Sequence, residues 1–256
     1  MNKVQKRNPI NPISYLLVFP AFMVVMLTVT YPIIVAVQRS FTDEKTGLFT
    51  MENYTYFFTT PAQLKNILYT LFVCLVTVAL AVVIGYLLAL YLRFVKSPIS
   101  KTIGTLYLLP RFVPSLCAVY AMISIIRDSG FINRVSLVMG QDVKLGMMYH
   151  ASGIITMNLW FNIPFAALMI TAGLGAIPDS VIEGARDVGA GPWKVFTSMI
   201  LPLSIKDVVI AGTFVFMTNV GSFTTPYLMG GNAPKMLGIA LFDQFNKYLD
   251  YNRAAA

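Results

Sequence analysis

Apolar residues in this chain come in long runs, and the polar residues gather between them. Four runs carry no formal charge, Asn8–Gln38, Asn66–Leu92, Leu145–Pro178 and Val208–Pro234. Each exceeds the roughly 20 residues that a helix needs to cross the hydrocarbon core. A fifth, Thr102–Ile126, is interrupted only by Arg111. The pattern predicts five spans, at about Ser14–Val37, Asn66–Leu92, Thr102–Ile126, Ala151–Ala176 and Val208–Met229. Lipid offers no hydrogen-bonding partners, so each span must satisfy its own backbone as a helix. The expected fold class is all-α, a polytopic transmembrane helical bundle forming a single domain over residues 1–256.

The stretch between the last two spans, Ile177–Leu203, is amphipathic and charged. Pro178 stops the preceding helix, and Ser180 stands three residues before Glu183, the spacing of a capping box. The helix so opened runs through Ala185, Arg186 and Val188 and ends at Gly189. Pro192, tolerated at a first helical position, restarts a helix with Trp193, Phe196, Met199 and Ile200 on one face, and Pro202 closes it. The prediction is a helix-turn-helix lying between spans.

Composition strengthens the membrane reading. Residues are 57% hydrophobic and 12% charged, against roughly 25% charged in soluble domains. The net charge of +8 is spread in small groups with no basic stripe, which argues against a nucleic-acid partner and for lipid headgroups. Lys3, Lys6 and Arg7 precede a run too long for a signal-peptide core, and no A-x-A site follows, so the first span is retained. Counted by loops, lysine and arginine tie at nine on each side, but the acid-free tail and the short Arg93–Lys101 loop favour a cytoplasmic N-terminus. Cys74 and Cys117 lie in predicted spans as packing residues, and His150, the one histidine, cannot build a metal site. No cofactor is expected.

Polar groups inside the spans are the candidates for a translocation path. Arg111 sits in Pro110-Arg111-Phe112-Val113-Pro114; it either serves transport or snorkels to the interface. Asn158 and Asn162 share a helix face, facing a path or bonding a neighbouring helix. Asn219, Ser222, Thr224 and Thr225 close the fifth span, where Pro226 loosens it. Enzyme chemistry finds no support: there is no G-x-x-x-x-G-K-[ST] loop, no H-E-x-x-H and no G-x-S-x-G. The predicted spans hold no acidic residue, which argues against an ion-coupled carrier.

Glu183-Gly184-Ala185, three residues, Gly189, nine residues, then Met199-Ile200-Leu201-Pro202 resembles the EAA loop of bacterial ABC-importer permeases, with Gly184 and Met199 as the departures. The resemblance implies a cytoplasmic loop that docks on a separate ATPase through Glu183, Gly184, Ala185, Arg186, Asp187, Gly189 and Pro202. It also implies a cytoplasmic ABC ATPase dimer, a second permease subunit, identical or homologous, an extracytoplasmic substrate-binding protein, and a bacterial inner-membrane location. Relatives usually carry a sixth span, beyond the five visible here. Ser40-Phe41-Thr42-Asp43 and Asn53-Tyr54 with Phe57-Phe58 look like the family's first outside loop. Gly221-x-Phe223-x-x-Pro226-x-Leu228-x-Gly230-Gly231 is similar to the polyamine, iron and phosphonate branch, whereas Gly230-Gly231-Asn232-Ala233-Pro234 does not match the T-G-G-G-P of the sugar branch. The expected substrate is a small amino-bearing solute: a polyamine such as spermidine or putrescine first, an aminophosphonate second because of Arg111, and a sugar third. The alternative is a secondary carrier or an integral scaffold, with no ATPase partner.

Overall fold

The computed structural model describes residues 12–44 and 46–256. Lys3, Lys6, Arg7 and Lys45, used above for orientation, lie outside the described residues. Among the described residues five helices are long and apolar enough to cross a membrane: Tyr15–Ser40, Pro61–Phe94, Ser115–Val138, Ala151–Gly175 and Pro192–Val220. The protein is an all-α polytopic bundle.

The chain divides into two compact units, one running up to Thr60 together with Phe242–Ala256, the other Pro61–Leu241. In the first unit, α1 (Pro12–Val25) passes through a π-helical turn, Met26–Thr30, into α2 (Tyr31–Ser40). The turn has a local cause. Pro32 lacks an N–H and its ring would press on the carbonyl four residues back, and a widened turn absorbs both defects. After α2 the aromatic loop folds back on α3 (Glu52–Thr59). Buried Asn53 donates to the carbonyls of Ser40 (3.0 Å) and Thr42 (3.1 Å), while Phe41 stacks on Phe49 and meets Tyr54 at a tilt. The two motifs of the expected outside loop are thus one locked turn.

The second unit is built on α4 (Pro61–Phe94), followed by α5 (Pro98–Leu106), α6 (Ser115–Ile126), α7 (Phe131–Val138) and α8 (Ala151–Gly175). Then come α9 (Asp179–Asp187), α10 (Pro192–Val195), α11 (Leu201–Val220) and α12 (Thr224–Met229). The division between the units falls within α13 (Leu237–Asn246), and α14 (Tyr251–Ala255) returns to the first unit. There Arg253 lies 4.4 Å over the Tyr56 ring and pairs with Asp250, and Asn252 donates to the Thr42 carbonyl.

Helices α4, α8 and α11 pack as a trio around Ala81, Ala166, Ile170, Ala211 and Val215. Gly85 sets the closeness of α4 and α8: a Cβ there would stand 2.9 Å from that of Ala166. Small residues let backbones approach where lipid supplies no hydrophobic drive.

Two predicted spans are placed differently. The third is not one helix over 102–126: α5 ends at Leu106, a 3-10 turn follows at Leu109–Phe112, and the apolar helical stretch is Ser115–Val138, α6 and α7 in succession. Pro110 and Pro114 are the cause, the second forcing Val113 into extended backbone. The fifth helix begins at Pro192 and ends at Val220, leaving Thr224–Met229 as a separate helix. Pro202 does not close a helix. The π-helical turn Phe196–Ile200 stands before it as Met26–Thr30 stands before Pro32, and the helix continues. Lys206 and Asp207 consequently lie inside a candidate span, so an acid is present in one after all. Cys74 is buried as a packing residue, whereas Cys117 is exposed on this chain.

Candidate functional site

The helix-turn-helix forms as a hairpin, and its turn follows from glycine chemistry. Gly189 has φ +83°, a conformation that penalises any Cβ. Its N–H bonds the Arg186 carbonyl at 2.8 Å, and the Ala190 N–H bonds that of Ala185 at 3.0 Å. These two bonds make a Schellman stop, which satisfies carbonyls that the end of α9 would otherwise leave open. Pro192 then occupies the first turn of α10.

The start of α9 is built otherwise than the capping-box spacing suggests. Pro178 is the N-cap and no side chain caps the helix, so Ser180 and Glu183 form no box. The partner comes from α4. Arg93, in its last turn, donates Nε to the Leu174 carbonyl (3.4 Å) and Nη2 to that of Ile177 (3.3 Å), and pairs with Asp179. One guanidinium therefore closes carbonyls at the end of α8 and holds the acid in the first turn of α9, where the helix dipole favours a negative charge. Charge counting used Arg93 for orientation alone, and no local pattern pairs it with Asp179.

The hairpin has two faces. Ile182, Ala185, Val195 and Ile200 are buried in one cluster with Tyr86, Ala89, Leu174 and Ile177. Tyr86 reaches through it to Ser204, with hydroxyls 2.8 Å apart, and its ring meets Phe196 edge-on. On the outer face Glu183, Gly184, Arg186, Asp187, Gly189 and Lys194 are exposed. Among them stand two large apolar side chains, Val188 at 85% and Trp193 at 75% exposure. Trp193, placed by the sequence on one face with Phe196, Met199 and Ile200, leans on Phe196 (5.6 Å) but stays exposed while Ile200 is buried. A groove of about 330 Å³ runs beside this face between the end of α4 and α10, with Arg186 at its rim. Of the predicted coupling residues, Ala185 alone is buried, and Pro202 lies in the continuous helix, exposed.

The candidate path residues do not converge on an open surface of this chain. Asn158, Asn162, Asn219 and Thr225 are buried, Ser222 and Thr224 half-buried, and Arg111 exposed. The Asn162 amide donates to the Asn158 carbonyl (2.7 Å) and that of Asn219 to the Val215 carbonyl (2.6 Å), each within its own helix. The Asn158 amide nitrogen has no partner among the described residues. Arg111 lies outside the helical spans, in the 3-10 turn, its guanidinium 4.9 Å over the Phe165 ring. Asn158, Asn162 and Phe165 share one face of α8, so Arg111 stands at one end of a polar line. Among the described residues no cluster of His, Cys, Asp and Glu is fit for a metal.

The family model described as "Binding-protein-dependent transport system inner membrane component" matches residues 81–252. The spermidine/putrescine transport system permease protein PotB of Escherichia coli (strain K12) is 25% identical over 210 residues, covering 82% of this chain and 76% of that protein. The sulfoquinovosyl glycerol transport system permease protein SmoG of Agrobacterium fabrum is 30% identical over 237 residues, covering 87% and 75%. The fold is similar to a chain of a bacterial ABC transporter involved in the import of the acidic polysaccharide alginate. The TM-score there is 0.79 at 18% identity, over 95% of this chain and 87% of that one.

Proposed function

The chain belongs to the family of binding-protein-dependent transport system inner membrane components, and on that premise we propose that residues 179–200 are the lever through which an ATPase drives import of a polyamine. The protein is a multi-pass inner-membrane permease subunit of an ABC importer and not an enzyme; ATP is hydrolysed in a separate subunit. The observation that carries the proposal is the two-faced hairpin. Its inner face is packed on α4 and tied there by Arg93, and its outer face offers Val188 and Trp193 within a rim of charges. A patch of this kind is what a partner covers. Because the inner face is fixed, force on the outer face moves α4, α8 and α11 together. The partner need only bind two arrangements of the helices with different affinity to shift their populations.

In this reading the N-terminus and the hairpin are cytoplasmic, an ATPase dimer binds the hairpin, and a second permease subunit and a binding protein complete the importer. Polyamine leads because spermidine and putrescine name the transport system of PotB. Asp207 adds a half-buried carboxylate in the helix Pro192–Val220, set against Gly173 of α8, where a cation gains from it. The exposed guanidinium of Arg111 favours a second reading, an aminophosphonate.

The test is uptake by proteoliposomes holding the permease, its ATPase and its binding protein. Labelled spermidine, 2-aminoethylphosphonate and maltose are offered separately, with and without ATP. Spermidine uptake that needs ATP is expected, and uptake of maltose alone overturns the substrate assignment. Uptake abolished by an ionophore while ATP remains would return the protein to the carrier class.

A further inference from the structure

We propose that a second site, an open pocket where α4 gives way to α5, binds the phosphate of an anionic phospholipid headgroup. The pocket has a volume of about 870 Å³ and is lined by Lys96, Ser97, Lys101, Gly104 and Tyr107, with Thr171 of α8 on its wall. That is within the size range of small-ligand sites.

Two observations give it its chemistry. Lys96 and Lys101 both line it, and among the described residues neither pairs with a carboxylate. The nearby Arg93, by contrast, is committed to Asp179. The Ser97 hydroxyl accepts from the Ser100 N–H at 3.0 Å as the cap of α5, which leaves its own proton to donate. Two cations and a hydroxyl donor, with no acid among the lining residues, suit a phosphate oxyanion.

Location selects the lipid over a soluble anion. The pocket opens where the 34-residue apolar helix α4 ends, the level at which headgroups begin. Beside it α5 exposes Ile99 and Leu106, seven positions apart on one face, as a helix lying in the interface does. Basic pockets between membrane helices are established headgroup sites in other proteins.

The test uses the full-length chain in detergent, incubated with equal amounts of dioleoylphosphatidylglycerol and dioleoylphosphatidylcholine and read by native mass spectrometry. Preferential retention of phosphatidylglycerol is expected. Lys96→Gln with Lys101→Gln should cut that preference about thirtyfold, taking each lysine as worth about 1 kcal/mol, whereas Lys144→Gln outside the pocket leaves it unchanged. Equal retention of the two lipids, or a preference untouched by the double substitution, overturns the proposal. Inorganic phosphate that displaces the lipid and is itself bound equally tightly would also overturn the lipid assignment, marking a soluble-anion site.

Discussion

The hairpin of residues 179–200 and the polar residues buried in the bundle meet the same problem, polar groups in an apolar protein, and solve it in opposite ways. The hairpin closes its backbone with a Schellman turn and a guanidinium, and leaves apolar Val188 and Trp193 uncovered. The bundle hides Asn158, Asn162 and Asn219, turning the last two amides onto their own helices and leaving that of Asn158 unpaired. The first region is finished inside and unfinished outside, as a docking element must be. The second is unfinished inside, and an unpaired buried amide is retained there at a cost of about 1–3 kcal/mol. We propose docking for the first, and for the second a path that opens in another arrangement of the helices.

The largest effect expected is at Gly189. A β-branched residue at φ +83° is strained by about 1–2 kcal/mol, so Gly189→Val should abolish ATP-driven uptake while the helix content measured by circular dichroism is kept. Full uptake would mean that the turn does not matter to coupling. Arg93→Ala comes next. It removes one donor from each of two carbonyls, of which that of Leu174 still accepts from the Ile177 N–H, and takes the partner from Asp179; the local loss is about 1–3 kcal/mol, toward the low end because Asp179 is exposed. Hydrogen exchange should quicken across residues 179–190, and Arg93→Lys should restore only part of the protection, since an ammonium cannot reproduce the fork. Unchanged exchange in Arg93→Ala would remove Arg93 from the hairpin's anchorage.

Asn158→Leu sharpens the other side of the comparison. Removal of an unpaired buried amide should leave thermal unfolding unchanged or raise its midpoint, while spermidine uptake falls. A lowered midpoint with normal uptake would make Asn158 structural. The smallest effect is at Gly184, whose Cβ would meet open space. Gly184→Ala should stabilise α9 by about 0.5–1 kcal/mol without changing uptake, and a loss of uptake would show that the outer face needs bare backbone there.

What could be read from the chain was local. The helices of the bundle follow from the lengths of their apolar runs, and the hairpin from Gly189 and Pro192, whose conformations are set by their own covalent structure. The errors came where neighbours intervene. Pro202 reads as a stop but is carried by the π-helical turn Phe196–Ile200, and Ser180 reads as a cap although Pro178 takes that position. The third span was misplaced because Pro110 and Pro114 act together to break it. Arg93 and Asp179 are 86 residues apart in the chain, so only the fold brings them together. Which polar residues turn inward was equally out of reach, since rotamers within a bundle are set by the facing helices.

The most direct test of the central claim is co-purification of the ATPase with the tagged permease in detergent, comparing the wild type with Glu183→Arg and Val188→Asp. Both positions lie on the exposed face and outside the buried cluster. The ATPase should accompany the wild type and be lost from both variants, with the helix content of the permease unchanged. An ATPase that co-purifies equally with all three would contradict the assignment of the hairpin as the docking element.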